Sequence, residues 1–142
     1  MEASWGAGQR RVLLVEDDLD IRDELTQLLE DEGFQVTGAG NGLEAMNLLR
    51  QARLRKHPPN VILLDLMMPV MNGWQFLREQ RQDPNLSAIP VVVMSATSGL
   101  RRGAGEELAA AALLSKPVAF DTLVGALDRF CGEPSLVTLA CA

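Results

Sequence analysis

Hydrophobic residues along this 142-residue chain form short runs that alternate with amphipathic stretches. The runs predict β-strands at residues 11–16, 34–39, 60–65, 89–95 and 111–115, because short apolar runs bounded by turn residues are typical of buried strands. The stretches between them carry apolar residues at helical spacing. Strand and helix therefore alternate along the chain, which predicts βαβ units around a parallel sheet.

The predicted helices have apolar faces and recognisable ends. Residues 99–110 should form the fourth helix, with weak first turns caused by three glycines. The first helix should stop at Gly33, the second should begin at Asn41-Gly42, and the third should run from Gly73 to before Asp83-Pro84. The residues expected on buried faces are Ile21, Leu25, Leu28 and Leu29 in the first helix, Ala45, Leu48, Leu49 and Ala52 in the second, and Phe120, Leu123, Val124, Leu127 and Phe130 in the fifth.

The strand patterns also predict the order of the sheet. The second strand alternates apolar and polar residues, as expected of an edge, whereas the first, third and fourth are continuously apolar and should be central. A strand order of 2-1-3-4-5 satisfies both observations. It places the topological switch point between strands one and three, where open α/β sheets bind ligands.

Polar residues suited to phosphoryl chemistry follow four of these strands. Glu16-Asp17-Asp18 follows the first, Asp65 ends the third, Ser95 ends the fourth and Lys116 follows the fifth. Because the carboxyl ends of parallel strands lie at one edge of the sheet, these side chains should converge there. This convergence is the strongest functional indication in the sequence.

Asp65 is the candidate nucleophile, since a carboxylate can attack phosphorus and hold the phosphoryl group as an acyl phosphate. Mg²⁺ would offset the repulsion among the carboxylates, with Asp17 and Asp65 as direct ligands and Glu16 acting through water. We expect Asp18 to cap the first helix instead. Lys116 and Ser95 would contact phosphoryl oxygens and stabilise their charge during transfer.

Composition narrows the class of protein. The formal charge of −6 argues against direct nucleic-acid binding, and no apolar stretch is long enough for a membrane span. Residues 1–11 lack a signal-peptide core, and Cys131, Cys141 and His57 have no metal-ligand spacing. These features predict a cytoplasmic protein with a flexible leader (1–10), one domain (11–131) and a short tail (132–142).

The chain resembles the receiver domain of two-component response regulators, and the chemotaxis regulators among them. The resemblance is carried by residues 12–18, by residues 61–73 with their Asp-Leu-Met-Met-Pro-Val-Met-Asn-Gly run, by residues 91–96 and by residues 113–117. It implies a flavodoxin-like (βα)5 three-layer sandwich of class α/β. It further implies that a sensor histidine kinase or phosphotransfer protein phosphorylates Asp65, and that an unknown downstream protein reads the signal.

The resemblance also implies roles for individual residues. Glu16 and Asp17 would form the acidic Mg²⁺ pair, and the Met67 backbone carbonyl would complete the metal site. Ser95 would be the switch hydroxyl and Lys116 the phosphate-sensing lysine, with a cis Lys116-Pro117 bond. Two positions depart from the family pattern: Leu113 replaces the usual aromatic, and Ala109 replaces a frequent glycine. Both departures concern the output switch, and we expect Leu113 to change little on activation.

Other functions remain open from the sequence. An aspartate-nucleophile, Mg²⁺-dependent phosphatase would usually need a carboxylate two residues after the nucleophile, where this chain has Met67. A flavin or nucleotide binder would need a glycine-rich loop after the first strand, where the acidic run lies instead. The same sequence could also be a receiver cut from a longer regulator or hybrid kinase.

Overall fold

The computed structural model describes residues 10–54, 58–65, 73–95, 111–115 and 118–131, apart from the side chains of Arg53, Ser95 and Ser115. Strands and helices alternate along these residues. The strands are β1 (Arg11–Val15), β2 (Gln35–Ala39), β3 (Val61–Asp65), β4 (Val91–Ser95) and β5 (Ala112–Ser115). The helices are α1 (Leu19–Asp31), α2 (Gly42–Leu54), α3 (Gly73–Gln82) and α4 (Phe120–Cys131). Helix α4 is the fifth predicted helix, because the fourth, at 99–110, lies outside the described residues.

The sheet is parallel, with the order β2-β1-β3-β4-β5 that the sequence predicts. Its register aligns Val15 with Ala39 on one side and with Leu64 on the other. Asp65 is aligned in turn with Met94. The residue after β1 and the last residue of β3 therefore lie at the same level, which brings their side chains to one edge of the sheet.

Two hydrophobic clusters cover opposite faces of the sheet, because successive strand residues point to opposite sides. Leu13, Ile62 and Val93 belong to the cluster that includes residues of α2 and α3. Val12, Leu63 and Val92 belong to the cluster that includes residues of α1 and α4. All five residues of β3 are buried, as expected of a central strand covered on both faces. The result is a three-layer sandwich.

Helix α1 begins and ends where local signals predict. The Asp18 carboxylate accepts a hydrogen bond from the Ile21 amide at 3.1 Å, so Asp18 is the N-cap. At the other end Gly33 has a φ of 100°, and the amides of Gly33 and Phe34 donate to the carbonyls of Glu30 and Leu29. These two bonds form a Schellman motif, which needs a residue in the left-handed region.

The predicted buried face of α1 is partly wrong. Leu29 is fully buried and Leu25 is half-buried, but Ile21 and Leu28 are 41% and 39% exposed. Both exposed residues line an open cleft of about 510 Å³ between α1 and α4, together with Phe120. Helical spacing identified the apolar stripe correctly, but only part of its width contacts the sheet and the rest borders this cleft.

Arg10 contacts the folded domain, although the sequence assigned it to the leader. Its guanidinium forms an ion pair with Asp128 of α4 at 2.5 Å and donates to the carbonyl of Glu32. It also stacks on the ring of Phe34, 4.3 Å from the centroid. Arg10 thus joins the end of α1 to α4.

Within the part of the chain that the structure describes, no helix combines the length and the apolar character that a membrane span requires.

Two glycines should respond in opposite directions to an added methyl group. Gly33→Ala is expected to lower the free energy of unfolding by about 1–2 kcal/mol, because its backbone is left-handed and its new Cβ would meet the Arg10 guanidinium. Gly125→Ala should raise it by roughly 0.5–1 kcal/mol, since a Cβ there meets nothing within 4 Å and the residue lies within α4. Urea denaturation measures both effects, and an alanine at residue 33 without cost would contradict the strained-turn assignment.

Candidate functional site: an acidic cluster at the carboxyl edge of the sheet

Glu16 directly follows β1 and is held in place through its backbone and its side chain. Its amide donates to the carbonyl of Ala39 at 3.0 Å, which extends the β1–β2 pairing by one residue. Its carboxylate accepts a hydrogen bond from the Asp18 amide at 3.2 Å. Only 2% of the residue is exposed. Glu16 is therefore a fixed, buried carboxylate at the edge of the sheet.

The next two acidic residues are both exposed but differ in their contacts. Asp17 is exposed in the turn between β1 and α1. Asp18 is exposed as well, but its carboxylate is engaged in capping α1. The sequence-based division of roles between them is thus confirmed for Asp18 as the cap, and it leaves Asp17 available to a ligand at the edge of the sheet.

Asp65 brings the third carboxylate to this edge. It is the last residue of β3 and is 5% exposed. One carboxylate oxygen from each of Glu16, Asp17 and Asp65 lies within 4.8 Å of the other two. The parallel register explains this approach, because Glu16 follows Val15 and Asp65 follows Leu64, its aligned partner.

The structure describes only some of the remaining predicted site residues. Ser95 ends β4 as predicted, one residue beyond the partner of Asp65, but its side chain is not among those described. Met67, Lys116 and Pro117 lie outside the described residues, so their predicted roles and the predicted cis bond stay predictions. Leu113 pairs with Val93 in the sheet and is half-buried against the cluster that includes α2 and α3.

The donor set fits a hard divalent cation. Three carboxylate oxygens within 4.8 Å of one another repel, and a cation offsets that repulsion. Mg²⁺ prefers oxygen ligands, keeps several waters and is usually bound by one or two carboxylates plus phosphate oxygens. Among the described residues, this cluster contains no histidine or cysteine, the ligands that would favour zinc. The arrangement can thus hold a metal ion beside the carboxylate of Asp65.

Residues 12–128 match the response regulator receiver domain. The chain belongs to this family. Receiver domains are the phosphoacceptor signalling domains of two-component systems, and the acidic cluster of this receiver lies where the family is phosphorylated. The predicted family, fold and class of function are confirmed.

Relatives of this receiver include proteins of similar length and longer ones. It is 34% identical over 125 residues to protein PilH of Pseudomonas aeruginosa, covering 83% of this chain and 94% of PilH. It is 40% identical over 108 residues to a CpxR homolog of Haemophilus influenzae, a transcriptional regulatory protein, covering 75% of this chain but 44% of that protein. The chain therefore spans less than half the length of this longer relative.

Solved structures support the same assignment. The chemotaxis protein CheY4 of Vibrio cholerae is 32% identical and superposes with a TM-score of 0.72, covering 86% of this chain and 98% of CheY4. The receiver domain of the sensor histidine kinase PA1611 from Pseudomonas aeruginosa is 26% identical, with a TM-score of 0.73 and coverage of 88% and 99%. That second structure contains a magnesium ion in its active-site cleft.

One contact at this site was missed by sequence reasoning. Arg22 of α1 donates from Nη1 to the backbone carbonyl of Glu16 at 2.7 Å. Its spacing of four from Asp18 was visible in the sequence, but an arginine on a helix is usually a solvent-exposed residue. Only the folded turn shows that its donor reaches back to the start of the acidic run.

Mg²⁺ binding should separate the two exposed aspartates. Asp17→Asn is expected to weaken Mg²⁺ binding by at least about tenfold. Even the loss of a residue that only hydrogen-bonds to a metal ligand lowers metal affinity by that factor. Asp18→Asn should change it by less than about fivefold, the effect of one exposed charge, since asparagine is an equally good N-cap. Isothermal titration calorimetry compares the variants, and the opposite ranking would overturn the roles given to these carboxylates.

Proposed function

We propose that Asp65 is the phosphoacceptor of this receiver, and that Mg²⁺ bound by Asp17 and Asp65, with Glu16 acting through water, supports the transfer. The observation that carries the proposal is the approach of three carboxylate oxygens to within 4.8 Å at the end of β3. Asp65 is the last residue of β3, a fully buried strand that pairs with β1 on one side and with β4 on the other.

The transfer forms one bond and breaks one. A carboxylate oxygen of Asp65 attacks the phosphorus of a phosphohistidine, and the P–N bond breaks. The electron pair of that bond stays on the imidazole, which leaves in its neutral form when its other nitrogen carries a proton. Bound Mg²⁺ would supply positive charge that offsets the negative charge of the phosphoryl oxygens.

Residues of the chain would orient the phosphoryl group on its other sides. We assign Lys116 to one phosphoryl oxygen as a point charge and the Ser95 hydroxyl to another as a hydrogen-bond donor. The backbone carbonyl of Met67 would be a further metal ligand. These roles are supported by the family membership and by the chain order, in which Ser95 ends β4 and Lys116 directly follows β5.

The chain is proposed to act on no external substrate and to catalyse only its own phosphorylation and dephosphorylation. A phosphatase of the aspartate-nucleophile class would need a general acid two residues after Asp65, and Met67 cannot act as one. A flavin or nucleotide site is disfavoured by the acidic turn after β1, which repels phosphate groups that lack a metal.

The proposed partners are proteins. A sensor histidine kinase or phosphotransfer protein would supply the phosphoryl group, and a downstream protein would bind the phosphorylated state. Direct binding of this chain to nucleic acid is not supported, because its net charge of −6 would repel the phosphate backbone. Location in the cytoplasm stays a prediction.

Asp65→Asn should abolish phosphorylation while keeping the fold. Incubation with acetyl phosphate and Mg²⁺, followed by intact mass spectrometry, is expected to add one phosphoryl group to the wild type and none to this variant. Asp18→Asn is the matched control, since it removes the same charge from a residue that caps α1. Undiminished phosphorylation of Asp65→Asn would place the acceptor elsewhere.

Leu113 is expected to change little on activation, in contrast to the aromatic residue that the family usually has there. It is already half-buried against the core, and leucine has no polar tip that favours exposure in either state. A residue whose environment hardly differs between two states contributes little to their equilibrium. Amide chemical shifts with beryllofluoride should therefore change strongly at Asp65 and Ser95 and weakly at Leu113. A Leu113 side chain that moves between buried and exposed positions would contradict this expectation.

A further inference from the structure

The turn that presents the acidic pair is held by a contact from α1. The backbone carbonyl of Glu16 accepts a hydrogen bond from Arg22 Nη1 at 2.7 Å, and the amide of the same residue donates to Ala39 at 3.0 Å. Since Glu16 is only 2% exposed, water has little access to this carbonyl. A buried carbonyl without a donor is costly, so the Arg22 contact stabilises this particular turn conformation.

Two glycines allow Arg22 to reach this position. A Cβ added at Gly38 would lie 3.1 Å from Arg22 Cδ, and one added at Gly40 would lie 3.2 Å from Nη1. Both distances are tighter than ordinary van der Waals contact. The arginine therefore crosses the end of β2 through space that any other residue at these two positions would partly fill.

We propose that Arg22 is a positioning residue for the metal site, which acts by fixing the Glu16 carbonyl and thereby the direction of the Asp17 side chain. This inference rests on the proposed function of the acidic cluster. The turn between β1 and α1 is short, and its far end is fixed by the Asp18 cap. With both ends held, Asp17 is kept near Asp65 before any metal binds, so less ordering is needed on binding.

Electrostatics alone predicts the opposite effect of removing Arg22. A guanidinium near a cation site repels Mg²⁺, so a neutral residue in its place should tighten binding if only charge matters. If Arg22 acts by position, the same substitution should weaken binding in spite of the lost repulsion. The sign of the change in Mg²⁺ affinity therefore distinguishes the two roles.

The first test measures Mg²⁺ affinity of the full chain by calorimetry. Arg22→Met is expected to weaken binding roughly tenfold, the lower end of the effect of residues that orient metal ligands. Arg22→Lys should recover part of the loss, because lysine keeps a charged donor on a long side chain. Arg50→Met, on the exposed surface of α2, is the matched control and should leave Mg²⁺ affinity close to wild type.

Gly40→Ala tests the same contact without changing any charge. Its Cβ would lie 3.2 Å from Arg22 Nη1, closer than an ordinary van der Waals contact, so it should displace the guanidinium and weaken Mg²⁺ binding in the same direction as Arg22→Met. Gly125→Ala is the control for the added methyl group, because nothing lies within 4 Å of that position. A Gly40→Ala variant that binds Mg²⁺ as the wild type does would count against the proposal.

The second test needs no metal. In the metal-free protein, amide hydrogen exchange at Glu16 and Asp18 should be faster in Arg22→Met than in wild type, while exchange in β3 stays unchanged. Faster exchange at the turn together with weaker Mg²⁺ binding supports the positioning role. Equal or tighter Mg²⁺ binding by Arg22→Met overturns it, whatever the exchange rates, and so does weaker binding with unchanged exchange at the turn.

The two proposals can fail separately. A wild-type protein that binds no Mg²⁺ and takes no phosphoryl group contradicts the proposed function before any variant is compared. A wild type that binds Mg²⁺ normally, beside an Arg22→Met variant that binds it equally well, contradicts only the inference about Arg22.

Discussion

Repulsion among three carboxylates that lie within 4.8 Å of one another is the constraint on which the site depends. Two of them, Glu16 and Asp65, are almost fully buried, where like charges interact more strongly than in water. Such an arrangement persists only if the surrounding backbone is rigid. In this domain the rigidity comes from β1 and β3, whose apolar residues are buried on both faces of the sheet.

The β1–α1 turn is held to these rigid elements by the hydrogen bonds of Glu16. Glu16 is bonded to β2 through its amide, to α1 through its carbonyl and to the Asp18 amide through its carboxylate. The turn is thus connected to the second strand and to the first helix at the same time. A cation bound here would contact a preorganised set of oxygens, which is the condition for binding a strongly hydrated ion such as Mg²⁺.

Helix α1 contacts the acidic site at its amino end, packs against the core along one face and borders the cleft toward α4. Its first turn carries the cap and Arg22, while Leu25 and Leu29 pack toward the core beneath the sheet. Ile21 and Leu28 remain partly exposed along the cleft toward α4, which Glu16 also lines. At the carboxyl end of α1, Arg10 joins the turn after the helix to α4 through Glu32 and Asp128. Several contacts thus fix one helix whose amino end carries an acidic turn.

Local features of the sequence determined much of this protein. The central strands follow from continuous apolar runs and the edge strand β2 from its alternating pattern. The start of α1 follows from Asp18, its end from Gly33, and the position of the acidic site from the rule that the carboxyl ends of parallel strands converge. These inferences succeed because they depend on periodicity and on neighbours along the chain. The tertiary structure alone decided which part of the α1 stripe is buried, that Arg10 belongs to the folded domain, and that Arg22 reaches the Glu16 carbonyl past Gly38 and Gly40. Those outcomes depend on how far one element lies from another, a distance fixed by packing between residues remote in sequence and not by the pattern of any single segment.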